Sequence, residues 1–181
     1  MSISIKKEDL RKKKTRKSLY TALSSLLSNR NFKKITVTDI CQEALIGRAA
    51  FYTYYLDKYD LLKYWLMDLW SKNMHVADNY NQIEKVVNYH MHENESVLNH
   101  LFYEADNETL GILFDFVLST LNLNIEKNDD GEIWSKNVVL ANFCAGGMLS
   151  YLSWQVNNKF PSDVHLMNTY LYEIINKFRE W

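Results

Sequence analysis

Five glycines and a single proline (Pro161) in 181 residues constrain the fold of this chain more than any other feature. Strand proteins spend both residues in their turns, where hairpin geometry needs positive φ or a fixed one. The scarcity argues against a sandwich, a barrel or a βαβ array and predicts an all-α protein. A chain of this length can bury roughly 70% of its unfolded surface, so its core needs no covalent staples. The two cysteines, Cys41 and Cys144, are too few for a disulfide framework or a tetrahedral cysteine cluster. They read as small buried hydrophobes. With 47% apolar and 24% charged residues the chain is globular rather than disordered.

The net charge of −1 hides an asymmetry. Residues 1–60 carry thirteen Lys/Arg against six Asp/Glu, a balance of +7, and residues 61–181 carry −8. A basic head on an acidic body suggests that the head meets a polyanion. The head's organisation follows from periodicity. A charged arm, Lys6–Lys17, frayed at its start, precedes a helix whose Leu19, Leu23, Leu26 and Leu27 share one face. Phe32–Ile35 is a short connector with two apolar plugs. Thr36 or Thr38 caps a short helix Val37–Ala44, with Asp39 in its first turn and Val37, Ile40, Cys41 and Ala44 inward. Leu45-Ile46-Gly47 has the length of a helix-turn-helix connection. A second short helix, Arg48–Tyr55, places Phe51 and Tyr55 on one face and Arg48 and Tyr52 on another. Asp57 caps a new helix beginning at Lys58.

This order resembles the DNA-binding domain of the TetR family of bacterial transcription regulators. The resemblance covers about fifty residues and rests on Ile40, Ala44, Phe51-Tyr52, Tyr54-Tyr55, Lys58 and Asp60-Leu61. The family usually reads Ala-Gly-Val-Ser in the turn, where this chain reads Ala44-Leu45-Ile46-Gly47. Gly is thus missing where it normally relieves the turn, and Gly47 stands in the capping place of Ser. The resemblance implies a helix-turn-helix domain over residues 1–57 and a helical regulatory and dimerisation domain over residues 58–181. It implies a homodimer on a double-stranded DNA operator, an inverted repeat, with repression relieved by a small-molecule effector. The alternative keeps the head but has the body bind a partner protein, as an adaptor or coactivator.

The residues agree with a DNA-reading helix. Gly47, Ala49 and Ala50 are small enough for the backbone to approach the major groove, and an alanine methyl can meet a thymine methyl. Arg48 can grip a guanine edge or a phosphate. Tyr52, Thr53 and Tyr54 can donate hydroxyl hydrogen bonds to phosphates or base edges, although Tyr52 and Tyr54 are equally open to a packing role. Lys58 adds charge at a helix N-terminus, where backbone amides favour phosphate. Lys34, Thr36 and Thr38 complete the DNA-contact set.

In the body, Tyr59–His75 is a long helix with a stripe of Leu62, Leu66, Leu69 and Trp70. Shorter helices follow at Ile83–His92 and Ser96–Tyr103, then a central apolar helix Asn107–Leu123. Ile133–Trp154 contains Gly146-Gly147, whose cost of about 1 kcal/mol each against Ala suggests a close backbone approach. Ser162 caps a last helix ending at Phe178. The phrase GGMLSYLSWQVNNKF followed by Pro resembles a TetR subgroup that includes regulators of dihydroxyacetone kinase operons. By that resemblance the last two helices, Glu132–Val156 and Asp163–Phe178, form the dimer interface, with Gly146, Gly147, Tyr151, Trp154, Leu166, Tyr170 and Ile174 in it. A ligand pocket in the body would be lined by Trp65, Met74, Tyr89, Phe102, Tyr103, Phe114, Phe143, Cys144 and Met148, all of which also suit ordinary core.

Other chemistry finds little support. The five histidines, His75, His90, His92, His100 and His165, lack a metal-ligand spacing, so no metal and no cofactor is expected. No Gly-rich phosphate loop or Gly-x-Ser-x-Gly elbow occurs, and an enzyme is not expected. The first residues form no apolar secretory core, and no apolar run approaches the roughly 18 residues of a membrane span. The expectation is a cytoplasmic protein with no membrane partner.

Overall fold

The computed structural model describes residues 2–74, 95–120 and 136–157, together with Glu173 and Lys177. Among the described residues the chain is helical and holds no strand. The order is α1 (Ser2–Leu27), a 3-10 turn (Phe32–Lys34), α2 (Val37–Glu43), α3 (Arg48–Tyr52), α4 (Lys58–Met74), α5 (Glu95–Phe102), α6 (Asn107–Thr120) and α7 (Lys136–Asn157). The expected helices Ile83–His92 and Asp163–Phe178 lie outside the described residues apart from Glu173 and Lys177, which are both helical.

Local chemistry explains most boundaries. The charged arm is no frayed tail, because the helix already begins at Ser2. Its Lys, Arg, Glu and Leu are straight-chain helix formers uninterrupted by Gly or Pro. Thr36, and not Thr38, caps α2. Its hydroxyl accepts from the Asp39 amide at 3.1 Å, while the Asp39 carboxylate accepts from the Thr36 amide at 2.8 Å. That is a reciprocal box which satisfies two donors at once. Asp57 caps α4, its Oδ1 accepting from the amides of Tyr59 and Asp60 at 2.8 Å each. Asp106 caps α6, accepting from the Thr109 amide at 2.8 Å and its hydroxyl at 2.7 Å.

One cluster of buried side chains runs through the molecule. Leu19, Leu23 and Leu27 of α1 meet Phe32, Ile35, Ile40 and Phe51 in the head. Leu61, Leu62, Trp65 and Leu66 of α4 carry the cluster to Val97, Leu101 and Phe102 of α5, Leu113 of α6 and Leu149 of α7. Helix α6 packs against α4 and α7, and α5 packs against α1, α7 and the 3-10 turn. The head therefore rests on α5, and α4 leads from it to α6.

Candidate nucleic-acid interface

Two short helices and their turn make the site. Ala44 ends α2, and the next two amides fold back on it. Leu45 N–H donates to the Gln42 carbonyl at 3.1 Å and Ile46 N–H to the Cys41 carbonyl at 2.9 Å. This pair of bonds is the Schellman pattern, which needs a left-handed residue, usually Gly, just after the cap. Here Leu45 takes that place at φ 55° with its side chain 93% exposed. The missing glycine leaves the geometry of the turn intact, and the cost appears as backbone strain on Leu45. Ile46 pays part of it back by packing against the core.

Gly47 then caps α3 without a side-chain bond. The helix is a turn and a half long and ends at Tyr52, three residues earlier than periodicity predicts. The Thr53 hydroxyl donates back to the Ala49 carbonyl at 3.0 Å where the helix stops. Phe51 and Tyr55 are buried, and their rings lie 5.8 Å apart, so the helix is held from behind. Gly47, Arg48, Ala49, Ala50, Tyr52 and Thr53 face outward. Nothing lies within 4 Å of a Cβ placed on Gly47, which leaves the start of α3 open to a close partner. The Arg48 guanidinium sits over the Tyr52 ring at 5.9 Å from its centroid, one helical turn away. That contact aims the cation without consuming its N–H donors.

The remaining expected contact residues separate into two groups. Lys34 and Thr38 are exposed beside α2. Thr36 is exposed, but its hydroxyl proton is committed to Asp39 Oδ2 at 2.7 Å. Those bonds from the Thr36 hydroxyl and amide hold the Asp39 carboxyl below its usual pKa, with Arg30 at 3.4 Å adding to the effect. Tyr54 is half-buried and packs against the core cluster.

Lys58 departs most from expectation. Its ammonium is no free phosphate ligand, because all its protons are used on the 3-10 turn. Nζ donates to the carbonyls of Phe32 at 3.0 Å, Lys33 at 3.2 Å and Ile35 at 3.0 Å. It also lies over the Phe32 ring at 4.8 Å and the Tyr59 ring at 5.1 Å. Burial lowers its pKa, opposed by the charges of Asp106, Glu108 and Asp57. Lys58 is a clamp that fixes the entry to α2. Beside it, the Tyr59 hydroxyl donates to Asp106 Oδ2 at 2.8 Å, which ties the start of α4 to the cap of α6. Burial and that bond push the Tyr59 phenol up to about 12. Burial works against ionisation of Asp106, but the bonds from Thr109 and Tyr59 outweigh it and lower its pKa. No sequence signal could reveal a contact between residues 47 apart.

The body's expected residues divide by helical phase. Trp65, Phe102 and Cys144 are buried core, and Phe114 and Met148 are half-buried. Tyr103 and Phe143 line no interior, being 42% and 66% exposed. On α7 the inward positions include Cys144, Ala145, Leu149, Leu152 and Val156, and Phe143 falls on the opposite stripe with Val139, Gly147, Ser150 and Trp154. Gly146 faces inward, where a Cβ would meet Phe114 at 4.0 Å, while a Cβ on Gly147 meets nothing within 4 Å among the described residues. Of the two glycines, Gly147 is the exposed one. The Tyr151 and Trp154 rings stack at 6.2 Å. Met74 ends α4. Tyr89, Leu166, Tyr170 and Ile174, and also His75, His90, His92 and His165, lie outside the described residues.

No family model matches the sequence, and no curated protein matches it. Solved structures do. A TetR transcriptional regulator from Streptococcus agalactiae 2603V is similar over 92% of this chain and 97% of its own, at 23% identity and a TM-score of 0.61. The dihydroxyacetone kinase operon activator DhaS is similar over 92% of this chain and 94% of its own, at 15% identity and a TM-score of 0.52. Likeness at these identities shows the fold: the chain has the all-helical architecture of TetR-type regulators.

Proposed function

We propose that the chain is a cytoplasmic, sequence-specific DNA-binding regulator of transcription that acts as a homodimer on an inverted repeat. The observation that carries this is α3. A short helix presents Gly47, Arg48, Ala49, Ala50, Tyr52 and Thr53 outward while Phe51 and Tyr55 anchor it from behind. Small residues at the approach and one aimed guanidinium are what reading a major groove requires. One helix of this length reaches only a few base pairs, so useful specificity needs two half-sites and hence two subunits. The outward stripe of α7, with Gly147 at its centre, is the surface on which we place the second subunit.

The head (residues 1–57) and the body (58–181) act as separate working parts joined by Lys58, Tyr59 and Asp106. Through that joint an event in the body can shift α2 and α3. In the first form of the reading the event is a small molecule that releases a repressor. The scatter of the expected pocket residues between core and surface favours a second form, in which a protein partner engages the body. The likeness to DhaS, an operon activator, bears only on the sign of regulation, activation as against repression. Selection of bound duplexes from a randomised library tests the reading. Enriched sites with two-fold symmetry support it, and a chain that enriches no sequence overturns it.

A further inference from the structure

A groove of about 1020 Å³ runs along the head between α1 and α4, and the helix-turn-helix does not account for it. One face of α1 lines it with Lys13, Lys17, Tyr20 and Ser24, continued by Ser28 just past the helix end, at spacings of three and four, with Lys12, Arg16, Thr21 and Ser25 flanking them. Trp65, Leu69 and Asp68 of α4 form the other wall, and Tyr54, just past the recognition helix, also lines it. We propose that this groove is a second nucleic-acid contact, holding the phosphates of the same DNA duplex that α3 reads.

Three observations carry the proposal. Among the described residues that line the groove, Lys13, Arg16 and Lys17 add to Lys12 on one stretch of α1 while Asp68 is the carboxylate on the opposite wall, so cations outnumber anions and the groove is complementary to a polyanion. Cations interleaved with hydroxyls are the side chains that hold phosphate oxygens and give register without reading bases. Arg16 donates to the Tyr20 hydroxyl at 3.4 Å, one helical turn away, which holds the guanidinium at the groove wall. Position and length fit as well. Tyr54 lies two residues beyond Tyr52, so the groove adjoins the end of the recognition helix. From Lys12 to Ser28 the wall is about 24 Å long at 1.5 Å per residue. One DNA strand carries a charge about every 3.4 Å of axis, so several phosphates fit along it.

The proposal rests on the DNA-binding reading, and the test separates the two. Full-length Lys13→Ala/Lys17→Ala is compared with Arg11→Ala/Lys14→Ala, which removes the same charge from exposed positions of the same helix outside the groove. Binding to a library-selected duplex is measured by fluorescence anisotropy between 50 and 200 mM salt, with melting curves to establish folding. Two lost phosphate contacts lower the slope of log K against log salt by about 1.8. The groove variant should therefore lose about tenfold less affinity than wild type over that salt range. The control variant should stay close to wild type. Equal effects from both variants would mean a general field and overturn the proposal, as would a groove variant that binds like wild type. A groove variant that loses no DNA affinity but no longer binds an acidic peptide or a small organic phosphate, assayed alongside, assigns the groove to that ligand and also overturns it. In each of these cases wild type still binds DNA, so the reading of α3 stands. Failure of wild type to bind any duplex removes both.

Discussion

Replacing Lys58 by Met tests the clamp between the 3-10 turn and α4. The substitution keeps the aliphatic stem over Phe32 and Tyr59 and removes only the ammonium. Three carbonyls then lose their donor. The Lys33 carbonyl is at the surface, where water replaces the lysine at little cost. The carbonyls of Phe32 and Ile35 are partly buried. An unsatisfied buried acceptor costs about 1–3 kcal/mol, and partial access for water brings each to the lower end. The sum is about 2–3 kcal/mol, which for a protein of this size is a fall in Tm of roughly 4–12 °C. Thermal melting followed by circular dichroism measures it, with anisotropy titrations giving the salt slope on a fixed duplex. The expected result is a lower Tm and a nearly unchanged slope. A variant that melts within a degree of wild type but loses about 0.9 from the slope would show that Lys58 holds a phosphate after all.

Other substitutions probe the turn, the joint and the interface. Leu45→Gly should raise stability by up to about 1 kcal/mol in urea melts, because the left-handed position costs a bulky residue about 1–2 kcal/mol and glycine returns part of that as chain entropy. An unchanged or lower midpoint refutes strain at this turn. Tyr59→Phe should cost about 1 kcal/mol by losing one hydrogen bond, with no change in ring packing. Hydrogen exchange should quicken in α2, and exchange as slow as wild type would show that the joint does not reach the head. Asp106 has a folded pKa below its ordinary 3.8, so its contribution is complete above that pH and is lost as pH falls through the folded value. Asp106→Asn should accordingly flatten the loss of stability below pH 4, and an unaltered acid limb would remove Asp106 from the joint. Gly147→Leu should leave the subunit folded, since among the described residues nothing lies within 4 Å of a Cβ at this exposed position, yet weaken the dimer in sedimentation. A variant as dimeric as wild type would move the interface off this stripe.

Local signals were legible in the sequence and distant ones were not. The capping oxygen of Thr36, the first-turn Asp39 and the cap at Asp57 depend on residues within three positions, and the structure holds all of them. The inward face of Phe51 and Tyr55 follows from four-residue spacing alone. Lys58 was legible as a cation at a helix start, but its partners lie 23 to 26 residues earlier, across a turn whose direction no pattern specifies. The strain at Leu45 could be anticipated only as a missing glycine; its φ of 55° comes from the backbone bonds of the turn. On α7 the run of apolar residues is too continuous to fix a phase. Phe143 and Cys144 are adjacent and equally apolar, and packing against α6 decides that Cys144 goes in and Phe143 out.

The central claim is that Arg48, on a helix of small residues, reads DNA sequence. Its most direct test measures wild type and Arg48→Ala against the selected duplex and every single-base variant of one half-site. Wild type should show losses of about 1–3 kcal/mol at individual positions, and Arg48→Ala should lose about that much on the cognate site while becoming indifferent at one base pair. Equal affinity of wild type for all the variants, or an Arg48→Ala profile that parallels wild type at every position, would contradict the account.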